Sequence, residues 1–171
     1  MLEVNKRQGL LAFGSLVGLG ILVSQVGSSL ITTHLPVGQT WALNSFVFIT
    51  HVRNYGGVFG SFQGMGWIFA LVALILISGL VLYLVHSSTT KLYEYLCFGC
   101  IAGGGISNIL DRLIYGSVVD FINLQHIPYW HYIFNTADVL IHVGIWPMLL
   151  FTFLDRKLPP STPTPTELAE D

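Results

Sequence analysis

The stretch WIFALVALILISGLVLYLVH, residues 67–86, holds no Asp, Glu, Lys or Arg. A helix needs about 20 apolar residues to cross the hydrocarbon core of a bilayer, so this run reads as a membrane span. Composition extends the inference to the whole chain, since 53% hydrophobic and 9% charged residues are far from the values of a soluble domain. Three more such stretches cover 9–31, 92–115 and 134–154. Four spans put both termini on one side. Of the seven basic residues, Lys6, Arg7, Lys91, Arg156 and Lys157 fall on that side, which the positive-inside rule labels cytoplasmic. Arg53 and Arg112 fall opposite. The nine acidic residues divide similarly, leaving only Asp111, Asp120 and Asp138 for the outer side.

The basic start and small residues Ser24, Gly27, Ser28 and Ser29 of the first span imitate a cleaved signal peptide. No charge occurs from Gln8 through Thr33, however, which is long for a signal core, and an uncleaved helix keeps the loops in agreement with the charge rule. Between the first two spans, about 36–66 is too long for a hairpin turn. It contains SFVFITHV, a β-branched and aromatic run expected to form a small extracytoplasmic β element. NYGGVFGSFQGMG, from Asn54, suggests tight turns lying on the membrane surface. Trp67, Tyr129, Trp130 and Tyr132 sit where an aromatic belt is expected. The Pro- and Thr-rich tail 158–171 is expected to be disordered, after a single domain over 1–157.

Several candidate sites have plain structural explanations. Cys97 and Cys100 form C-x-x-C inside a membrane helix, where cysteine behaves as a small hydrophobe. Six His residues show no compact ligand spacing, so no metal is expected. Gly103, Gly104 and Gly105 lack the features of a phosphate loop and suit close helix packing. Asn108, Asp111 and Arg112 share one helix face at i, i+3 and i+4, and the latter two could simply anchor a helix end at the headgroups. With Asn135 as N-cap, Asp138 falls at N3, where it can close a capping box; the same geometry would fix a catalytic carboxylate and favour its ionised form. Asp120 has no such explanation. It sits in VVDFI, where desolvation disfavours its charged form. Two carboxyls in such unlike settings make a usable acid and base pair.

RNYGGVF (Arg53 to Phe59), GGGISNILDRLIYGSVVDF (Gly103 to Phe121) and FNTADVLI (Phe134 to Ile141) together resemble the lipoprotein signal peptidase (signal peptidase II) family in order and spacing. The resemblance covers nearly the whole chain before the tail. It implies four transmembrane helices with a small extracytoplasmic β-cradle and a short surface helix. It implies an aspartic endopeptidase with Asp120 and Asp138 as catalytic dyad, Asn54, Asn108, Arg112 and Asn135 lining the site, and Asp111 supporting the third helix end. The substrate would be a prolipoprotein, cut before its diacylglyceryl-modified Cys at the outer face of a bacterial inner membrane. Neither metal nor organic cofactor is needed for such chemistry. Membrane lipid is an expected partner, nucleic acid is not, and a monomer is expected.

One departure is visible in the first helix, where the family usually carries Asp-Gln followed shortly by Lys. Here Ser24 and Ser28 flank a retained Gln25 in SQVGSS. Two rivals stand beside this reading: a small proton or ion conductor, because membrane carboxylates mark ion paths, and, given the altered first-helix motif, a noncatalytic lipoprotein-binding relative of the peptidase. None of the four spans carries a polar stripe to the other face, which disfavours the first.

Overall fold

The computed structural model describes residues 4–157, so the expectation for the 158–171 tail lies outside the described residues. Four long helices carry a small sheet at one end. Helix α1 (Lys6–His34) starts at Asn5, whose side chain accepts from the Arg7 N–H, and stops at an extended Leu35 before Pro36. The chain then forms β1 (Thr40–Ala42) and β2 (Val47–Asn54), joined through Asn44, whose Oδ1 accepts from the N–H groups of Phe46 and Val47, both at 2.8 Å. Helix α2 (Gly66–His86) follows, then α3 (Leu92–Tyr115), which the left-handed Gly116 at φ 72° terminates. Strands β3 (Val118–Leu124) and β4 (Ile133–Phe134) lead into α4 (Thr136–Lys157). The sheet is antiparallel throughout, in the order β1-β2-β3-β4.

Helix α3 is the centre, with α1, α4 and α2 packed around it. Successive residues of a helix point about 100° apart, so its three consecutive glycines face three different partners. A methyl group on Gly103 would lie 3.2 Å from the Val17 carbonyl oxygen of α1, one on Gly104 would collide with the Ala137 carbonyl oxygen of α4, and one on Gly105 would lie 2.9 Å from Ile77 Cδ1 of α2. Helix backbones thus approach as small residues allow in membranes. The interior mixes apolar Leu35, Leu84, Tyr95 and Val119 with polar Ser24, Ser28, Ser107, Asp111, Asp120 and Asn135, whereas Leu22, Ile75, Leu76 and Leu149 project outward. An apolar exterior around an interior with so many polar groups suits lipid surroundings rather than water.

Among the described residues, three helices are long and apolar enough to cross a membrane: Lys6–His34, Gly66–His86 and Thr136–Asp155. The expected span at 92–115 forms a helix over those same residues but is not among the three. The reason is its position, because the glycines that pack against the neighbouring helices and Ser107, together with Glu94, Asn108, Asp111 and Arg112, lower its apolar content.

The β element is larger than the sequence suggests. Its strands β1 and β2 lie within 36–66, but β3 and β4 join from the far side of α3. Val118 to Phe121 are all buried, so the stretch lacks the alternation that would mark a half-exposed strand. Helix α4 begins at Thr136 rather than 134, because Ile133 and Phe134 pair with Asn123 and Ile122. In place of the expected surface helix there is a three-residue 3-10 turn, Val58–Gly60, with Phe59 in the left-handed region at φ 57°. The Gly57 N–H, donating to the Ser61 carbonyl at 2.8 Å, closes that loop.

Candidate active site

Asp120 lies on β3, opposite Val52 of β2. Its carboxyl is only 4% exposed, with one hydrogen bond to each oxygen. Asn135 Nδ2 donates to Oδ1 at 2.9 Å and Asn54 Nδ2 to Oδ2 at 3.1 Å. Burial, and after it the charge of Asp138, push the Asp120 carboxyl up to about 7, against the downward pull of those two amides. The expectation that the VVDFI setting disfavours the charged form therefore has a geometric basis.

Asp138 sits in the first turn of α4. Its N–H donates to Asn135 Oδ1 at 3.0 Å, and its Oδ2 accepts from the Asn135 N–H at 3.2 Å, which is a reciprocal capping box. The other oxygen accepts from Asn108 Nδ2 at 2.9 Å. Asn108 reaches across from α3, and its Oδ1 accepts from the same Asn135 Nδ2 at 3.1 Å. Asn135, only 2% exposed, thereby touches both carboxylates and Asn108.

The remaining candidates divide by role. Asn54, at the end of β2, joins Asp120 to the glycine-rich loop: Nδ2 also donates to the Gly57 carbonyl at 3.1 Å, while Oδ1 accepts from the Gly56 N–H at 3.0 Å and from Gln63 Nε2 at 3.3 Å. Arg112 makes no salt bridge to either carboxylate among the described residues. Instead it donates to the carbonyls of Asn108, at 3.0 Å, and Gly56, at 2.7 Å, tying α3 to that loop. Asp111 is 1% exposed, which overturns the alternative of a headgroup anchor. It accepts from Gln25 Nε2 and Ser28 Oγ of α1 and from the Val119 N–H of β3. Although Asn108, Asp111 and Arg112 share a helix face, they serve three different neighbours. A cavity of about 270 Å³ adjoins the site between this loop and the ends of α2 and α3, lined by Asn54, Tyr55, Trp67 and Arg112 among others. No group of three or more His, Cys, Asp or Glu among the described residues is arranged to hold a metal ion.

Sequence reasoning did not find the contacts of Gln63 with Asn54, or of Gln25 and Ser28 with Asp111. The first-helix departure singled out Ser24 and Ser28, but not the contact of Ser28 with Asp111. Ser28 supplies a hydroxyl donor to Asp111, whereas Ser24 is buried with its Oγ unpartnered.

The sequence model of signal peptidase (SPase) II matches residues 16–154. This chain belongs to the signal peptidase II family. Relatives carrying the name lipoprotein signal peptidase include one from Syntrophomonas wolfei, 37% identical over 144 residues, covering 77% of this chain and 93% of its own. One from Synechocystis sp. is 38% identical over 137 residues, covering 78% and 83%. A bacterial membrane enzyme solved in meso at 2.3 Å shares the fold with a TM-score of 0.81 at 24% identity, over 88% of this chain and 93% of that one. Another, at 1.9 Å, gives 0.72 at 25% identity, over 85% and 94%. In this signal peptidase II member, RNYGGVF brings Asn54 to the site, GGGISNILDRLIYGSVVDF brings Asn108 and Asp120, and FNTADVLI brings Asn135 and Asp138.

Proposed function

We propose that this protein is a membrane-embedded aspartic endopeptidase that hydrolyses the bond before the diacylglyceryl-modified Cys of prolipoproteins, with Asp120 and Asp138 as its dyad. Family membership supports lipoprotein signal-peptide cleavage as the activity. The single observation that carries the residue assignment is the side-chain amide of Asn135, whose Nδ2 donates to Asp120 and whose Oδ1 accepts from the Asp138 N–H, capping the turn that holds Asp138.

Asp120, held protonated by burial at and below about pH 7, hydrogen-bonds the scissile carbonyl. Asp138 takes a proton from water as the oxygen attacks that carbon. The tetrahedral intermediate then collapses, the C–N bond breaks, and the proton passes from Asp138 to the departing cysteine amine. The carboxyls titrate as a pair, so one proton shared between them is the working state. Asn54, Asn108 and Asn135 hold both carboxyls in place.

In this reading α3 crosses the bilayer as the central fourth helix and both termini are cytoplasmic. The sheet and dyad lie at the outer face of the inner membrane, and the protein works as a monomer. Both the signal helix and the diacylglyceryl group of the substrate partition into lipid, so a site at the membrane boundary meets the bond without extracting it. The test is mass analysis of products from a diacylglyceryl-modified prolipoprotein and its unlipidated form, using purified protein in detergent. The expected result is one cut, immediately before the modified Cys, on the lipidated form only. Equal cleavage of both forms, or a cut elsewhere, contradicts the proposal.

A further inference from the structure

We infer that Asp111, gripped by Gln25 and Ser28, is a positioning residue that holds the backbone of β3 where Asp120 must stand. This rests on the peptidase reading above. Strand β4 covers β3 only at Ile122 and Asn123, so the segment around Val119 lacks a strand on that edge. Asp111 supplies the missing acceptor: its Oδ2 takes the Val119 N–H at 2.9 Å, one residue before Asp120. A side chain thus does locally what a strand would do.

The carboxylate is itself fixed from α1. Ser28 Oγ donates to the same Oδ2 at 3.0 Å, and Gln25 Nε2 donates to Oδ1 at 2.9 Å. The second N–H of Gln25 Nε2 is shared between Ser107 Oγ, at 2.9 Å, and the Ser107 carbonyl, at 3.1 Å, which fixes the amide against the turn of α3 below Asp111. All three contacts of Asp111 are donors, as a carboxylate requires, and among the described residues no cation lies within salt-bridge distance of it. The departure of the first helix from its family therefore has a consequence. Ser28 works as a neutral donor in the clamp, and the register of Asp120 depends on a hydroxyl, which the strand and both helices leave buried at 3% exposure.

The test compares Ser28→Ala, Ser28→Thr and Asp111→Asn in the full chain, using steady-state cleavage of a diacylglyceryl-modified prolipoprotein, amide hydrogen exchange at Val119, and thermal unfolding. Losing one such hydrogen bond is expected to lower kcat by about three- to tenfold in Ser28→Ala while KM stays within about twofold. Exchange at Val119 should quicken. Ser28→Thr keeps the hydroxyl and should restore both readings. If Asp111→Asn does not fold, the Ser28 pair decides. Unchanged kcat and exchange in Ser28→Ala, or a loss that Ser28→Thr leaves unrepaired, overturns the inference. A wild-type protein that cleaves nothing would instead overturn the peptidase reading, and exchange at Val119 would then decide the clamp alone.

Discussion

Asp120 is a carboxyl whose proton leaves near neutral pH. Its value rises from 3.8 to about 7 because burial and then Asp138 disfavour the charge. The sign for stability follows directly. The native state holds this proton up to about 7 and the unfolded chain releases it near 3.8, so protonation stabilises the fold at low pH. That contribution is lost as pH rises through about 7. Asp120→Asn has no such proton, so its melting temperature relative to wild type should climb between about pH 5 and pH 8, read by thermal unfolding in one detergent. A constant difference would remove the shift. Catalysis should follow the same group, with kcat/KM of wild type falling on the alkaline side through an apparent value near 7. A profile flat to about pH 8.5 would deprive Asp120 of the acid role. Asp120 and Asp138 were legible in the sequence because a carboxylate inside VVDFI, and another at the start of an apolar helix, have high costs that call for a cause. The Asn135 to Asp138 cap was legible from a spacing of three. The bridge from Asn108 through Asn135 to Asp120 was not, since it depends on how the fold sets β3 and α3 against the residue that precedes α4.

At the scale of elements, the triple glycine decides how tightly α3 is enclosed. Gly104→Ala sets a methyl against the Ala137 backbone carbonyl, which cannot retreat without moving the first turn of α4 and Asp138 with it. Gly105→Ala meets only Ile77 Cδ1, the end of a flexible side chain. Gly104→Ala is therefore expected to cost about 1–3 kcal/mol in stability, typical of overpacking, and to reduce cleavage; Gly105→Ala should cost less. Thermal unfolding and turnover of the two variants check the order, and the reverse order would contradict the packing described. Helix positions were readable because apolar length is a strong signal, and the spans at 67–86 and 92–115 match α2 and α3 closely. Strand β3 was unreadable for a physical reason. A strand buried on both faces has no period, and its partner β2 lies more than sixty residues earlier in the chain.

For the whole molecule, the apolar exterior suits lipid surroundings, while α3 carries the open part of the topology. Reporter fusions after His86 and after Tyr115 should report opposite sides of the membrane, with the Tyr115 fusion outside. Reporters on the same side would show that α3 does not cross. The sheet packs on α1 and α3. In the proposed reading this sets Asp120 and Asp138 where an aqueous face meets lipid, within reach of a lipid-anchored substrate by lateral diffusion. The central claim is that Asp120 and Asp138 act together on a peptide bond. Its most direct test is turnover of diacylglyceryl-modified prolipoprotein by purified wild type, Asp120→Asn and Asp138→Asn, with folding verified by thermal unfolding. Cleavage by wild type and a loss of about 10³-fold or more in each folded variant is the expected result. Substantial turnover by either variant would contradict the dyad.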